Sequence, residues 1–210
     1  MDTCRDLNQI TLRGTVSGLP KLSHVSHQES FYLFELTVER LSGNQDVLNI
    51  QVPGRLLGQN PPGLGPLERG REVEVTGSLR TFNNRSGVGA RLVITVLAES
   101  IVETCEPHTN VLTLKGTVCR RGEVRRTPLG REICDFTLAV NRRYGRSDYL
   151  PCIAWGSMAQ RCAALGVGSR LELDGRLQSR TYTKQYPDHC EERVAYECSA
   201  MSLEPEVDQG

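Results

Sequence analysis

The chain repeats itself at an offset of about a hundred residues, and this repeat limits the possible folds more than any other feature. Five pairs of segments match in order: 8–16 with 110–118, 34–40 with 136–142, 48–54 with 150–156, 70–79 with 168–177 and 98–101 with 200–203. The fourth pair is offset by 98 residues and the others by 102. Self-similarity that is kept in register over five segments indicates two copies of one domain. We therefore predict domains at 1–105 and 106–203, followed by a short acidic tail at 204–210.

Each copy contains five segments in which apolar and polar residues alternate, which is typical of half-buried strands. In the second copy they cover about 110–120, 132–142, 149–155, 169–179 and 192–203. Gly116 and Gly175 interrupt two of the apolar rows, where a small, strongly coiled barrel needs a kink or a close approach of backbones.

One helix is predicted between the third and fourth strands of the second copy. It covers 157–165, with Ser157 as a cap and Gly166 as its end. The matching stretch of the first copy, 55–66, is rich in Pro and Gly, so we expect its helix to be shortened or lost. Five strands with a helix between the third and fourth form an oligonucleotide/oligosaccharide-binding (OB) barrel. The fold class is therefore all-β: two tandem OB-fold five-stranded barrels, each with a short or degenerate helix.

Charge is distributed unevenly between the two copies, although the chain as a whole has a net charge of zero. Residues 1–106 carry a net charge of −2 and residues 107–203 one of +5, and 13 of the 15 basic residues in the second copy are Arg. Arg both pairs with phosphate and lies flat on bases. We therefore expect any polyanion to bind the second copy.

Other functional classes find little support in the sequence. No phosphate-binding loop, HExxH or GxSxG motif occurs, so we do not expect an enzyme. The eight Cys include no CxxC and do not combine with the four His at zinc-ligand spacing, so no metal or other cofactor is expected. Four of them, Cys119, Cys134, Cys152 and Cys198, are interpreted as small buried apolar residues. The sequence has no apolar run long enough for a membrane span and no signal region, which favours a cytoplasmic, nucleoid-associated protein without a membrane partner.

The third strand of the second copy carries aromatic residues on its outward face. Leu150, Cys152 and Ala154 form an inward row, whereas Tyr149, Ile153 and Trp155 fall on the other face. Trp155 is the only Trp in the chain. An exposed aromatic face is stacked on a flat ligand or covered by another protein.

Basic residues accompany these aromatic residues in the second copy. The predicted DNA-binding set comprises Lys115, Arg120, Arg121, Arg125, Arg126, Arg142, Arg143, Tyr144, Arg146, Tyr149, Trp155, Arg176, Arg180, Tyr182 and Lys184. Residues 120–128 are interpreted as a turn after the first strand. Aromatic residues interleaved with cations suit single-stranded nucleic acid, because bases stack on the rings while the cations follow the phosphates. The alternative is a protein-interaction module or a structural subunit of a replication or recombination complex, in which the aromatic face is buried in an interface.

Four segments of the second copy resemble the bacterial-type single-stranded DNA-binding protein family: 110–116, 135–142, 152–156 and 173–182. The resemblance implies that Tyr144, Tyr149, Trp155 and Tyr182 stack on bases. It also implies that Arg142, Arg176 and Arg180 lie at or beside cation positions that contact phosphate. The implied function is sequence-independent binding and protection of single-stranded DNA in replication, recombination or repair.

The first copy lacks most of these residues. It has Ser42, Val47 and Pro53 opposite Tyr144, Tyr149 and Trp155, and only Phe82 with Arg80 is expected to retain a stacking role. We therefore expect the first copy to act in scaffolding and oligomerisation. Members of the family usually form tetramers of single barrels, so two barrels in one chain imply a homodimer with four OB folds. Residues 204–210 contain three acidic residues and no Phe, so we do not expect recruitment of repair or replication proteins through the family's acidic, Phe-ended tip.

Overall fold

The computed structural model describes residues 6–58, 67–84, 90–142, 145–186 and 188–206. In chain order the strands are β1 (Leu7–Val16), β2 (Lys21–Ser26), β3 (Glu29–Glu39), β4 (Gln45–Pro53), β5 (Glu72–Asn83), β6 (Leu92–Glu103), β7 (Thr109–Arg126), β8 (Glu132–Asn141), β9 (Ser147–Trp155), β10 (Arg170–Gln185) and β11 (Cys190–Pro205). Two helices, α1 (Gly54–Gly58) and α2 (Ser157–Ala164), follow β4 and β9. The all-β class is confirmed, and no helix in these ranges is long and apolar enough to cross a membrane.

The contacts divide the chain into two compact units. The second-repeat unit consists of Val111–Gln178 with the described residues of Met1–Asn8 and Tyr196–Gly210. The first-repeat unit consists of Gln9–Asn110 and Ser179–Ala195. The end of the β10–β11 hairpin therefore belongs to the first-repeat unit, although it follows the second repeat in sequence.

Each unit is built on a closed barrel of five strands. In the second-repeat unit the strand order is β7-β8-β9-β11-β10, and β10 pairs again with β7. In the first-repeat unit the order is β1-β5-β6-β4-β3, and β3 pairs again with β1. Both orders contain one parallel pair, β9 with β11 and β4 with β6. The two rings have the same connectivity, as the repeat predicts.

The predicted inward rows of the second copy form its core. At most 3% of the surface is exposed at Leu112, Leu114, Val118, Phe136, Leu138, Val140, Leu171, Leu173 and Leu177. The predicted close approaches at the two glycines are confirmed: a Cβ would lie 2.4 Å from the backbone oxygen of Ala139 at Gly116, and 2.2 Å from that of Ser199 at Gly175. Any larger residue would push these strands apart.

The helix of the second repeat begins differently from our prediction. Gly156, not Ser157, occupies the N-cap position, and no side chain caps the helix. Gly156 has φ 58° and ψ −128°, a conformation that a residue with a Cβ rarely adopts. The sharp turn at the end of β9 therefore depends on this glycine, and Ser157 is already the first helical residue. In the first repeat the described helix α1 has five residues, shorter than the eight of α2, as its Pro and Gly content predicts.

Candidate nucleic-acid interface

The third strand of the second repeat, β9, presents its two aromatic residues at the surface. Its inward row is buried: Leu150, Cys152 and Ala154. On the other face 53% of Tyr149 is exposed, and Trp155 is partly exposed. Ile153 lies between them in the alternation but is only 4% exposed, so this face of β9 is not uniformly accessible. The accessible aromatic residues are therefore two separate rings.

The residues after the predicted first strand also differ from our prediction. We expected a turn at 120–128, but β7 continues to Arg126 and pairs with β8. The pairing register shifts twice, between Val118 and Arg120 and between Arg121 and Val124, which is typical of β-bulges. These irregularities obscure the alternation in the sequence, and the strand they extend places basic residues beside β8.

An open groove of about 590 Å³ lies on this part of the second-repeat unit. Its lining comes from β7, β8, β9 and β11: Arg120, Gly122, Glu123, Val124, Arg125, Asp135, Phe136, Thr137, Pro151, Cys152 and Glu197. Pro151 lies on the same face of β9 as Tyr149 and Trp155. It comes two residues after Tyr149 and four residues before Trp155. At about 3.3 Å per residue, the two aromatic positions are about 20 Å apart along β9. Neither ring belongs to the lining of the groove, but Pro151, which lies between them in sequence, does.

Several predicted cations are held by neighbouring protein groups. Arg142 donates to both carboxylate oxygens of Asp148, which is fully buried. Lys115 lies where β7 pairs with β10 and contacts Glu172 and Glu206. Arg121 donates at 2.8 Å to the carbonyl oxygen of Ala163, at the end of α2. With these partners, the three cations stabilise the fold of the protein.

The two arginines near the end of β7 form more exposed ion pairs. Arg125 contacts Asp135 at 2.6 Å, and Arg126 contacts Glu132 at 3.4 Å. Hydrogen bonds, first from Gln160 and then from Arg126, hold the pKa of Glu132 below its ordinary value. A phosphate at either arginine would compete with the carboxylate that already contacts it.

A smaller set of the predicted cations remains available. Within the described ranges, Arg120, Arg146, Arg180 and Lys184 are exposed and have no carboxylate partner. In the second-repeat unit, Arg176 is partly buried, and its Nε has no hydrogen-bond partner among the described groups. Arg143 and Tyr144 lie outside the described residues.

The end of the β10–β11 hairpin carries the remaining predicted residues within the first-repeat unit. The guanidinium of Arg180 lies 5.7 Å from the ring centre of Tyr182, and the Lys184 ammonium lies 4.8 Å from that of Tyr186. This hairpin is anchored because the Ser179 N–H donates to Asp46 at 2.7 Å. No pattern in the sequence indicates that these residues belong to the first-repeat unit.

The first barrel retains one exposed aromatic residue of the predicted site. Phe82 on β5 is 51% exposed, and its neighbour Arg80 donates at 3.0 Å to the carbonyl oxygen of Leu79. Val47, at the position that corresponds to Tyr149, is 39% exposed and offers no aromatic ring. At this surface position the first copy therefore has an aliphatic side chain where the second copy has an aromatic ring.

Sequence reasoning missed a carboxylate in the groove. Glu197 on β11 accepts a hydrogen bond of 2.7 Å from Nε2 of Gln178, whose own exposure is 7%. No motif marks either residue, and only the pairing of β10 with β11 brings them together. Among the described residues, no group of three or more His, Cys, Asp or Glu is placed to hold a metal ion.

Comparisons with known proteins agree with this architecture. Residues 109–204 match the model of the single-strand binding protein family. A single-stranded DNA-binding protein of Halalkalibacterium halodurans is 38% identical over 80 residues, which cover 35% of this chain and 48% of that protein. Single-stranded DNA-binding protein A of Bacillus subtilis is 37% identical over 83 residues, covering 36% and 48%. The chain thus spans about half the length of these curated relatives.

The fold has solved counterparts over the whole chain. The wild-type single-stranded DNA binding protein from Thermus aquaticus superposes with a TM-score of 0.78 at 23% identity, covering 99% of this chain and 96% of that one. A deletion mutant of the same protein gives a TM-score of 0.77, with coverage of 99% and 98%. The similarity extends through both barrels.

Proposed function

Because residues 109–204 match the model of the single-strand binding protein family, we propose that the chain binds and protects single-stranded DNA. The observation that carries this proposal is the exposure of Tyr149 and Trp155 on β9, the strand whose Pro151 lines a groove together with Arg120. The aromatic rings would stack on bases, and the Arg120 guanidinium would contact a phosphate. Most of this binding carries no sequence information, since every base has a stacking face.

The proposed mechanism assigns different work to the rings and the cations. Each base stacked on Tyr149 or Trp155 contributes about 1–3 kcal/mol. Arg120 and Arg146 contact phosphate and release counterions, so that affinity falls as salt rises. Arg180, Tyr182 and Lys184 offer the same chemistry on the β10–β11 hairpin. Arg143 and Tyr144 stay in the proposed set on the strength of the sequence.

Fluorescence of Trp155 tests the proposal directly, because no other Trp contributes signal. Titration with poly(dT) at low salt should quench the emission, and Tyr149→Ala should weaken binding at least about fivefold. If neither emission nor sedimentation changes on adding DNA, the proposal is wrong. In that case the exposed rings are better explained as a docking surface for another protein.

We further propose that the two copies divide the work. The second copy supplies the main DNA site, and the first copy supports the β10–β11 hairpin and adds a weak contact through Phe82 and Arg80. The net charge of −2 over residues 1–106, which contain the first copy, favours this assignment. The protein would act in the cytoplasm, on the nucleoid, during replication, recombination or repair.

A homodimer with four OB folds is also proposed, since single-barrel members of the family assemble as tetramers. Light scattering at micromolar concentration should then give twice the 23.3 kDa mass of the chain. A monomer under these conditions would contradict the dimer but leave the DNA-binding proposal intact.

A further inference from the structure

The groove beside Tyr149 contains a carboxylate that a simple phosphate channel would not have. Glu197 lies in its lining, and its Oε1 accepts the 2.7 Å hydrogen bond from Gln178. Because Gln178 is buried, with 7% exposure, its amide holds the Glu197 carboxylate in a fixed orientation. Oε2 of Glu197 has no hydrogen-bond partner among the described residues. One acceptor therefore remains available to a ligand in the groove.

The other charged residues that line the groove are placed differently from Glu197. Asp135 is occupied by Arg125 at 2.6 Å, and Glu123 is exposed at the surface. Arg120, which lines the same groove, has no carboxylate partner among the described residues. A phosphate is favoured near Arg120 and repelled near Glu197, because it carries the opposite charge to the guanidinium and the same charge as the carboxylate. The group that approaches Glu197 should therefore be a hydrogen-bond donor without negative charge.

The carboxylate is specific to one repeat. The parallel pairs Cys152 with Cys198 and Ile50 with Val96 are related by the repeat, so Thr95 corresponds to Glu197. Thr95 is only 3% exposed and donates to Gln51 at 3.3 Å. The barrel fold itself therefore does not require a carboxylate here. It occurs in the copy that also carries the exposed aromatic residues.

We propose that Glu197 reads the edge of a base whose ring stacks nearby, and that the groove consequently prefers bases with an exocyclic amino group. Cytosine, adenine and guanine each present such an amine, whereas thymine presents a carbonyl oxygen in place of the cytosine amine. A carboxylate accepts from an amine and repels a carbonyl oxygen. This inference rests on the proposed function and adds a base preference to it. The groove volume of about 590 Å³ falls within the range of small-ligand sites.

Oligo(dC) and oligo(dT) of equal length provide the test, because the two pyrimidines differ at the edge that Glu197 would contact. Affinities of the full chain for both are measured at one salt concentration for the wild type and for Glu197→Gln. The amide of Gln donates to thymine and lacks the negative charge, so the ratio of oligo(dC) affinity to oligo(dT) affinity should fall at least about fivefold in the variant. Gln178→Leu, which releases the carboxylate, should lower the ratio in the same direction.

Glu204→Gln is the matched control, since Glu204 is an exposed carboxylate on the same strand outside the groove. It removes the same charge and should leave the ratio unchanged, even if both oligonucleotides bind more tightly. An unchanged ratio in Glu197→Gln, with both oligonucleotides still bound, would overturn the base preference alone. Failure of the wild type to bind either oligonucleotide would overturn the proposed function as well.

Discussion

Arg142 and Asp148 form an ion pair that closes the β8–β9 hairpin directly before Tyr149. Nε of Arg142 donates at 2.6 Å to one oxygen of Asp148, and Nη2 donates to the other. The first repeat contains the same pair as Arg40 and Asp46, 102 residues earlier, and both Asp side chains are fully buried. A position that resembles a phosphate-binding cation in the sequence therefore has a structural partner in both copies.

Arg142→Ala should destabilise the protein far more than it weakens DNA binding. The substitution leaves the buried Asp148 carboxylate without its guanidinium, which typically costs about 3–5 kcal/mol. Urea unfolding followed by circular dichroism measures this loss. Arg146→Ala, four residues later at an exposed position, should change the free energy of unfolding by less than about 0.5 kcal/mol. A stable Arg142→Ala protein with weakened DNA binding would show that Arg142 contacts phosphate after all.

Arg120→Ala should reduce the salt dependence of DNA binding more than Arg125→Ala. Arg120 has no carboxylate partner among the described residues, whereas Arg125 is already paired with Asp135. Each lost phosphate contact lowers the slope of log affinity against log salt by about one unit. Titrations at several salt concentrations give the slopes for both variants. If Arg125→Ala causes the larger change, its ion pair with Asp135 must open when DNA binds.

The fold could be predicted from the sequence because the chain contains two copies of one domain, and both copies show the same alternation of apolar and polar residues. Alternation and repeat register identified the strands, and rows such as Phe136, Leu138 and Val140 proved to be core. The glycines at 116 and 175 were predictable because only a missing Cβ permits the strand contacts found there. Strand lengths were harder to predict, since the bulges between Val118 and Val124 break the alternation that marks a strand.

The chemistry of individual site residues was less predictable. Charge and type identify Arg142 and Arg120 as equivalent cations, but only the fold shows that a buried carboxylate engages Arg142. Ile153 points to the same face of β9 as Tyr149 but is buried. Alternation along a strand predicts which face a side chain lies on, but it does not predict which neighbouring residues cover that side chain. Glu197 and Gln178 lie 19 residues apart and become partners only through strand pairing.

Phe82→Ala in the first repeat should reduce DNA affinity less than Tyr149→Ala in the second. Phe82 is half exposed, but its copy has Val47 in place of Tyr149. Because the position that corresponds to Tyr149 has no ring in this copy, Phe82 should contribute at the lower end of about 1–3 kcal/mol. Quenching of Trp155 reports the affinity of both variants, because both keep that residue. Equal losses would show that the two repeats share the binding energy.

Four buried Cys lie in the core of the second repeat: Cys134, Cys152, Cys162 and Cys198. Burial, followed by the influence of Cys134, raises the pKa of Cys162 to about 12. Burial, followed by a hydrogen bond with Cys198, raises the pKa of Cys152 well above its ordinary value. The thiols of Cys152 and Cys162 therefore stay neutral and behave as small apolar side chains at physiological pH.

Stability should consequently fall at alkaline pH. Below about pH 9 the two thiols are protonated in both the folded and unfolded states, so their contribution is fully present. Above that pH they ionise only in the unfolded chain, and each then costs about 1.4 kcal/mol of folding free energy per pH unit until its folded pKa is reached. Urea unfolding between pH 8 and pH 10.5 measures the slope. Cys162→Ala lowers stability throughout but should flatten the slope, whereas an unchanged slope would mean that other groups cause the alkaline loss.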